Sequence, residues 1–281
     1  RAWKRDAFSL RTLLKSQRLK SKVLSAINPS DIEGYIADRK NDGVSNATIN
    51  RELACLKKIY ALAIKWGDVK RNPAADVELL EEPPGRTRFL TVEECQRLVE
   101  CSPEHLRPIV ITALNTGMRL GELLNLKWGH VHIDHVIDPH VEIEISKNNK
   151  RRFVPLNSEM VELLNTLRAK SRVSQHVFLS VHGEKHPLQS VKKPFLRALK
   201  GANISDFRFH DLRHTFASHF VMNGGDLLSL KEILGHSSLE MVQRYAHLSA
   251  AHKREQINNL SGMFTKICHK YASSGKSVAK L

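Results

Sequence analysis

Three histidines, an arginine and a tyrosine stand close together in the last third of this chain: His210-Asp-Leu-Arg213-His214, then Leu234-Gly235-His236, then Tyr245. Each falls on a short element, so all can converge on one phosphate. Upstream, Arg119 in Thr116-Gly-Met-Arg-Leu-Gly-Glu122 and Lys147 in a polar hairpin turn add two more cations. Breaking a phosphodiester without metal needs positive charge on the non-bridging oxygens, a nucleophile, and an acid for the leaving oxygen. Arginine suits the first task because its guanidinium stays charged and grips two phosphate oxygens in a fork. Arg119 and Arg213 are the candidate clamps, with Glu122 one turn on to hold Arg119. His210 and Arg213, three residues apart at a helix start, point to one side. Gly235 permits the sharp turn that aims His236 inward. Tyr245 is the candidate nucleophile on the strength of its company.

Each signal alone has a blander reading. An arginine with glutamate three residues later is usually a solvated helical pair, HxxR can be surface decoration, and a lone tyrosine is usually core. A sharper rival is metal, since His210 and His214 stand at i and i+4 like the zinc pair of HExxH hydrolases. Here Asp211 replaces the glutamate and no third ligand has a recognisable spacing. His130, His132, His135 and His140 are irregularly spaced and read as solvated. No metal site and no cofactor are expected.

The whole chain favours a polyanionic partner. Its 281 residues carry 44 Lys and Arg against 29 Asp and Glu, a formal charge of +15, and such a surplus makes affinity salt-dependent. No apolar run approaches the ~20 residues that span a bilayer, so nucleic acid is preferred over a membrane surface. The four cysteines form no CxxC pair and read as reduced thiols of a cytoplasmic protein. The chain opens at Arg1 rather than methionine, as a piece of a longer protein would.

Helices must position these groups. Residues 1–82 read as all helix: Asn28-Pro29-Ser30-Asp31 opens one helix, and another runs from Ser45 to Trp66 with Ile49, Leu53, Leu56, Tyr60 and Ala63 on one face and Gly67 at its end. Lys57 and Lys58 lie on this basic segment as candidate DNA contacts. Residues 83–90, with Pro83, Pro84 and Gly85, read as a linker. A second domain, 91–261, starts at the capping box Thr91-x-x-Glu94. Val131–Ile137, Val141–Ile145 and Arg151–Pro155 read as three antiparallel strands, followed by helices at Ser158–Lys170, His210–Asn223, Asp226–Leu234 and Ser237–His247. Ser237-x-x-Glu240 reads as a capping box for the helix bearing Tyr245. Residues 262–281 form a basic tail. The fold class is thus mainly α: a helical N-terminal domain plus an α+β domain with a small three-stranded sheet.

Taken together, Arg119 in TGMRLGEL, Lys147, His210-x-x-Arg213 in FHDLRHTFAS, Leu-Gly-His236 and Tyr245 in RYAHLS resemble the tyrosine recombinase (phage-type integrase) family over residues 88–250. The resemblance implies that Tyr245 attacks a DNA phosphate to give a 3′-phosphotyrosyl link and a free 5′-hydroxyl. Arg119 and Arg213 would stabilise the phosphoryl charge, Lys147 would protonate the departing oxygen, His210 would assist as acid or base, and His236 would hydrogen-bond the transition state. Among the hairpin cations, Lys150, Arg151 and Arg152 are then expected to touch DNA backbone. Residues 1–82 would be a SAM-like core-binding domain clamping the duplex, although its first helix reads as short or displaced. The implied function is site-specific recombination without metal or ATP, by a homotetramer acting on two double-stranded DNA sites through a Holliday junction. DNA-bending accessory factors would be further partners, the tail could exchange between protomers, and a nucleoid-associated location is expected. A type IB topoisomerase or a catalytically silent DNA-binding relative are the alternatives.

Overall fold

The computed structural model describes residues 2–83, 88–135, 137–145, 150–170, 174–180, 183–187, 190–249 and 257–258. Lys147, residues 84–87 of the expected linker, and the tail at 262–281 lie outside these residues. The chain divides into two compact units, Arg1–Arg86 and Thr87–Leu281.

The first unit is built from α1 (Ala2–Lys15), α2 (Pro29–Asn41) and α3 (Asn46–Trp66). The opening helix is not short: it runs fourteen residues and packs along α3. Local chemistry fixes the ends of the other two. The Asn28 side chain accepts from Asp31 N while Asp31 accepts from Asn28 N, closing a capping box with Pro29 at the first turn. Gly67, at φ +86°, ends α3 in the left-handed conformation. The apolar stripe of α3 is buried as its spacing requires, with Ile49, Leu53 and Tyr60 fully enclosed against Leu13, Ile32 and Tyr35. Glu52 is buried beside this stripe and fully matched. Tyr35 Oη donates to it at 2.7 Å, and Arg39 donates through Nε and Nη2 at 3.0 and 2.9 Å.

In the second unit α4 (Val92–Cys101), α5 (Arg107–Thr116) and α6 (Leu120–Leu124) precede a sheet of β1 (Val131–His132), β2 (His140–Ile145) and β3 (Lys150–Pro155). The sheet is antiparallel in the order β1-β2-β3, with Val141 opposite Val154 and Ile143 opposite Arg152. Then come α7 (Ser158–Lys170), the hairpin β4 (Leu179–Ser180) and β5 (Gly183–Pro187), α8 (Lys192–Gly201), α9 (Asp211–Met222), α10 (Leu227–Leu234) and α11 (Glu240–Gln243). Leu98, Ile109, Met160, Leu164, Phe195 and Leu212 from the helices join Val141, Ile143 and Val154 from the strands in one core. No described helix is long and apolar enough to cross a membrane.

Two expected elements are corrected. The strand placed at Val131–Ile137 keeps only Val131 and His132, because Ile133 is the last buried residue before the chain turns outward and leaves Ile137 exposed. The helix placed at Ser237–His247 is only four residues of α11 followed by a 3-10 turn, Ala246–Ser249. Ser237 does not cap it: the N-cap is Leu239, and the Ser237 hydroxyl points to Met241 Sδ. Burying Val242 and Tyr245 in one cluster favours tighter i→i+3 bonds, Tyr245 N to Val242 O and Leu248 N to Tyr245 O.

Candidate active site

Two left-handed glycines set the frame. Gly117, at φ +61°, ends α5, and an added Cβ would collide with the Phe216 ring. Gly235, at φ +65°, ends α10, and a Cβ there would meet Arg152 Cδ at 2.8 Å. Each glycine turns the chain just ahead of a functional residue: Arg119 two positions after the first, His236 directly after the second. Arg213 bridges the two turns from α9. Its Nη1 donates to Gly117 O at 2.9 Å and its Nη2 to Leu234 O at 2.6 Å.

Arg213 is 4% exposed, and both of these partners are neutral carbonyls. Burial and the nearby Arg119 push its guanidinium below the ordinary arginine value, with Glu122 opposing. The group remains charged, as arginine does, so a desolvated cation stands in a field of cations. Such a site favours a bound anion.

Glu122 is the hub for the other guanidiniums. Its carboxylate accepts from Arg119 N and Arg119 Nη1 at 2.8 and 3.0 Å, and from Arg152 Nη1 and Nη2 at 2.9 and 2.7 Å. Burial alone would raise its pKa, but the bonds to Arg152 and Arg119 outweigh it and leave the carboxyl at about 2. Arg119 caps α6 and keeps its side chain 41% exposed, open to a ligand while its inner edge is held.

Arg152 is corrected by this arrangement. Expected on DNA, it is instead 7% exposed, locked to Glu122 in a bidentate pair, and its Nε donates to Ile233 O at 2.9 Å. Its fork ties β3 to α6 and to the Gly235 turn. The pattern is present in the sequence: along β3, Arg152 is in phase with buried Val154 and Leu156, whereas Arg151 and Phe153 face out. Arg151 keeps an exposed side chain and pairs with Glu142 at 2.8 Å. Lys150 opens β3. In the first unit, Lys58 is exposed and pairs with Asp6, but Lys57 directs its ammonium to Ala75 O and Val77 O at 3.2 and 2.9 Å, which makes it a brace of that segment.

The histidines and the tyrosine complete the set. The pKa of His210, at the start of α9, is lowered by desolvation and then by Arg213 and Arg119, against Asp211. His236 is held at about 4 by burial, then by Arg213, Arg119 and Arg152, and its buried Nδ1 has no hydrogen-bond partner among the described residues. Tyr245 is 5% exposed among Ala217, Val221, Leu230, Leu234 and Val242. Burial raises its phenol, with Arg244 and Arg213 pulling the other way. Its hydroxyl meets His214 Nδ1, a contact that sequence reasoning misses because His214 stands there only as half of a zinc-like pair. Among the described residues no group of three or more His, Cys, Asp or Glu is arranged to hold a metal ion. The structure therefore brings Arg119, Glu122, Arg213, His210, His236 and Tyr245 into one electrostatic neighbourhood.

Comparison with known proteins agrees on the lineage. Residues 88–252 match the phage integrase family, and residues 1–67 match the phage integrase N-terminal SAM-like domain. The tyrosine recombinase XerC of Xanthomonas axonopodis pv. citri is 29% identical over 267 residues, covering 89% of this chain and 86% of that protein. The integrase of Salmonella phage P22 is 34% identical over 78% of this chain, which spans only 58% of the phage protein. Among solved structures, the Tn1549 transposon integrase in complex with a circular intermediate DNA superposes with a TM-score of 0.72 at 20% identity, covering 85% of this chain and 87% of that one. A lambda integrase dimer bound to a core site gives 0.68 at 23% identity, covering 85% of each chain. The chain belongs to the phage integrase family and is a site-specific tyrosine recombinase.

Proposed function

We propose that this recombinase cleaves and rejoins double-stranded DNA through a covalent 3′-phosphotyrosyl intermediate on Tyr245, with neither metal nor ATP. The reading is carried by Arg213, a buried cation bonded to two carbonyls, with Arg119, His236 and Tyr245 in its field. A scissile phosphate is the anion that such a site suits. Arg213 and Arg119 would grip its non-bridging oxygens, and His236 and His210 would bond the oxygens on which charge develops. Tyr245 Oη would attack phosphorus and displace the 5′ oxygen, which Lys147 would protonate.

The covalent link conserves the energy of the broken bond, so a second 5′-hydroxyl can reverse the attack without a nucleotide. Exchange between two sites needs four such nucleophiles, and we assign a homotetramer passing through a Holliday junction. The lambda integrase fold, similar to this one, occurs as a tetramer bound to a Holliday junction. The SAM-like unit would add sequence-independent backbone contacts, with accessory bending proteins assisting assembly.

The test is covalent capture in EDTA with no nucleotide. Wild type and Tyr245→Phe are incubated with a library of nicked duplexes, and protein-linked strands are recovered under denaturing conditions and sequenced. Adducts from wild type alone support the reading, and their sequences locate the cleavage site. Equal adducts from Tyr245→Phe remove Tyr245 as nucleophile.

A further inference from the structure

Attack by Tyr245 leaves its phenolic proton without a destination. Among the described residues, one acceptor stands at hydrogen-bond distance: Tyr245 Oη lies 2.5 Å from His214 Nδ1, with ring centroids 6.1 Å apart. His214 follows Arg213 on α9. Consecutive helical residues point about 100° apart, so one can hold a phosphate while the next faces the attacking oxygen. One turn back, the His210 ring meets His214 edge-on at 5.6 Å.

Several charged or titratable groups bear on this imidazole: His210 just before α9, Asp211 and Arg213 from α9, Arg244 and Tyr245 from the segment after α11, and His236 from the turn after α10. Burial and then His210 and Arg244 lower the pKa of His214 to about 4. It is therefore neutral near pH 7, with a lone pair free to accept. Tyr245, by contrast, is buried and its phenol is raised. A reluctant acid in contact with a neutral imidazole is the arrangement general-base catalysis needs. An anionic phosphate among Arg213 and Arg244 would offset the cations that hold His214 down, and would strengthen it as a base when substrate is bound.

We propose that His214 is the catalytic base of this recombinase, taking the proton of Tyr245 during strand cleavage and returning it during strand joining. The proposal rests on the reading of Tyr245 as the nucleophile. In the Nε2–H tautomer, Nδ1 accepts the phenolic proton as the Oη–P bond forms and the P–O5′ bond breaks. The 5′ oxygen takes its proton from the separate acid, Lys147. In the return step the 5′-hydroxyl attacks, its proton goes back to that acid, and the His214 imidazolium protonates Oη as it leaves.

The test uses the full chain, a nicked duplex recovered in the capture experiment, and the same duplex with sulfur in place of the bridging 5′ oxygen. A sulfur leaving group departs without a proton. His214→Gln and His214→Phe should retain DNA and melt near wild type, but form adduct about 10²-fold or more slowly at pH 7. Their rates should climb tenfold per pH unit toward the phenol pKa, where wild type is flat. The defect should persist on the sulfur substrate. In the wild-type protein, histidine ¹⁵N resonances, assigned by loss of one ring in His214→Gln, should show Nδ1 of residue 214 unprotonated at pH 7. Wild-type rates in both variants, rescue by the sulfur leaving group, or a protonated Nδ1 would each overturn the proposal. Adduct formation by Tyr245→Phe is a separate result, and it would sink the nucleophile reading rather than the base.

Discussion

Buried charge is handled in opposite ways in the two units. In the helical unit Glu52, 1% exposed, receives three hydrogen bonds from Arg39 and Tyr35, so its charge is matched within the fold. In the second unit Arg213, 4% exposed, is bonded to two neutral carbonyls and lies near Arg119 and Arg152, with Glu122 as the carboxylate that opposes them. A matched buried pair serves the fold that contains it. A buried surplus of one sign serves something that is to bind there.

The contrast is broken most severely at Arg213. Arg213→Lys keeps the charge and loses the fork. Covalent adduct formation should fall by about 10²–10³-fold, while the thermal midpoint moves less than in the Glu52 variant. Thermal melts alongside a cleavage time course check both halves. Full cleavage activity in Arg213→Lys would mean that the fork does not hold the phosphate.

Glu52→Gln is the mirror experiment. It leaves Arg39 with only the exposed Asp42 as a carboxylate partner, in a unit that has no catalytic group assigned to it. Breaking such a pair costs about 3 kcal/mol, less here because Arg39 is one-fifth exposed. Equilibrium unfolding should show that loss in stability, and adducts made below the melting range should be nearly unchanged.

Acid sharpens the comparison next. His214 and His236 sit at about 4 in the fold against 6.5 as free side chains, both chiefly through burial. Between these values the unfolded chain binds more protons, so stability falls as pH drops from about 6.5 through 4. Their contribution is complete above 6.5. In the helical unit the shifted carboxylates Asp6, Asp31 and Asp38 lie below 3.8 at the surface, lowered by hydrogen bonds from Lys58, Lys22 and Arg18. Its losses begin only at lower pH. Hydrogen exchange corrected for intrinsic rates should therefore show residues 88–249 loosening at pH 5 before residues 2–83 do. Uniform loosening would place the acid sensitivity elsewhere.

What could be read in advance follows the range of each signal. The helix start at Asn28-Pro29, the capping box at Thr91, the glycine stop at Gly67 and the stripe on α3 are local, and the sequence predicts them within a residue. The Ser237 box misleads because the burial of Val242 and Tyr245, a tertiary demand, overrides a local signature. At the site, residue types and order single out Arg119, His210, Arg213, His236 and Tyr245. Their partners do not follow from order, since Gly117 O and Leu234 O meet Arg213 across 96 and 21 residues. His214 is hidden for the same reason: its contact with Tyr245 spans 31 residues. Arg152 differs, because strand alternation already sets it apart from its basic neighbours.

Arg151 and Arg152 give the smallest and most local version of the contrast, since adjacent arginines on β3 face opposite ways. Arg151 is exposed and paired to Glu142 across the sheet, a pair that surface screening makes weak. It can exchange that partner for a phosphate. Arg151→Ala should then lower the slope of log affinity against log salt by about 0.9, the value for one phosphate contact, and leave the cleavage rate of bound complex intact. Arg152 has its fork on Glu122 and its Nε on Ile233 O. Arg152→Ala should leave the salt slope unchanged and slow cleavage instead, because Glu122 and the turn bearing His236 lose their common tie. Binding titrations at several salt concentrations, paired with cleavage of saturated complex, separate the two. If both variants shift the slope equally, Arg152 is released from Glu122 when DNA binds, and the matched pair in this unit is itself part of the DNA site.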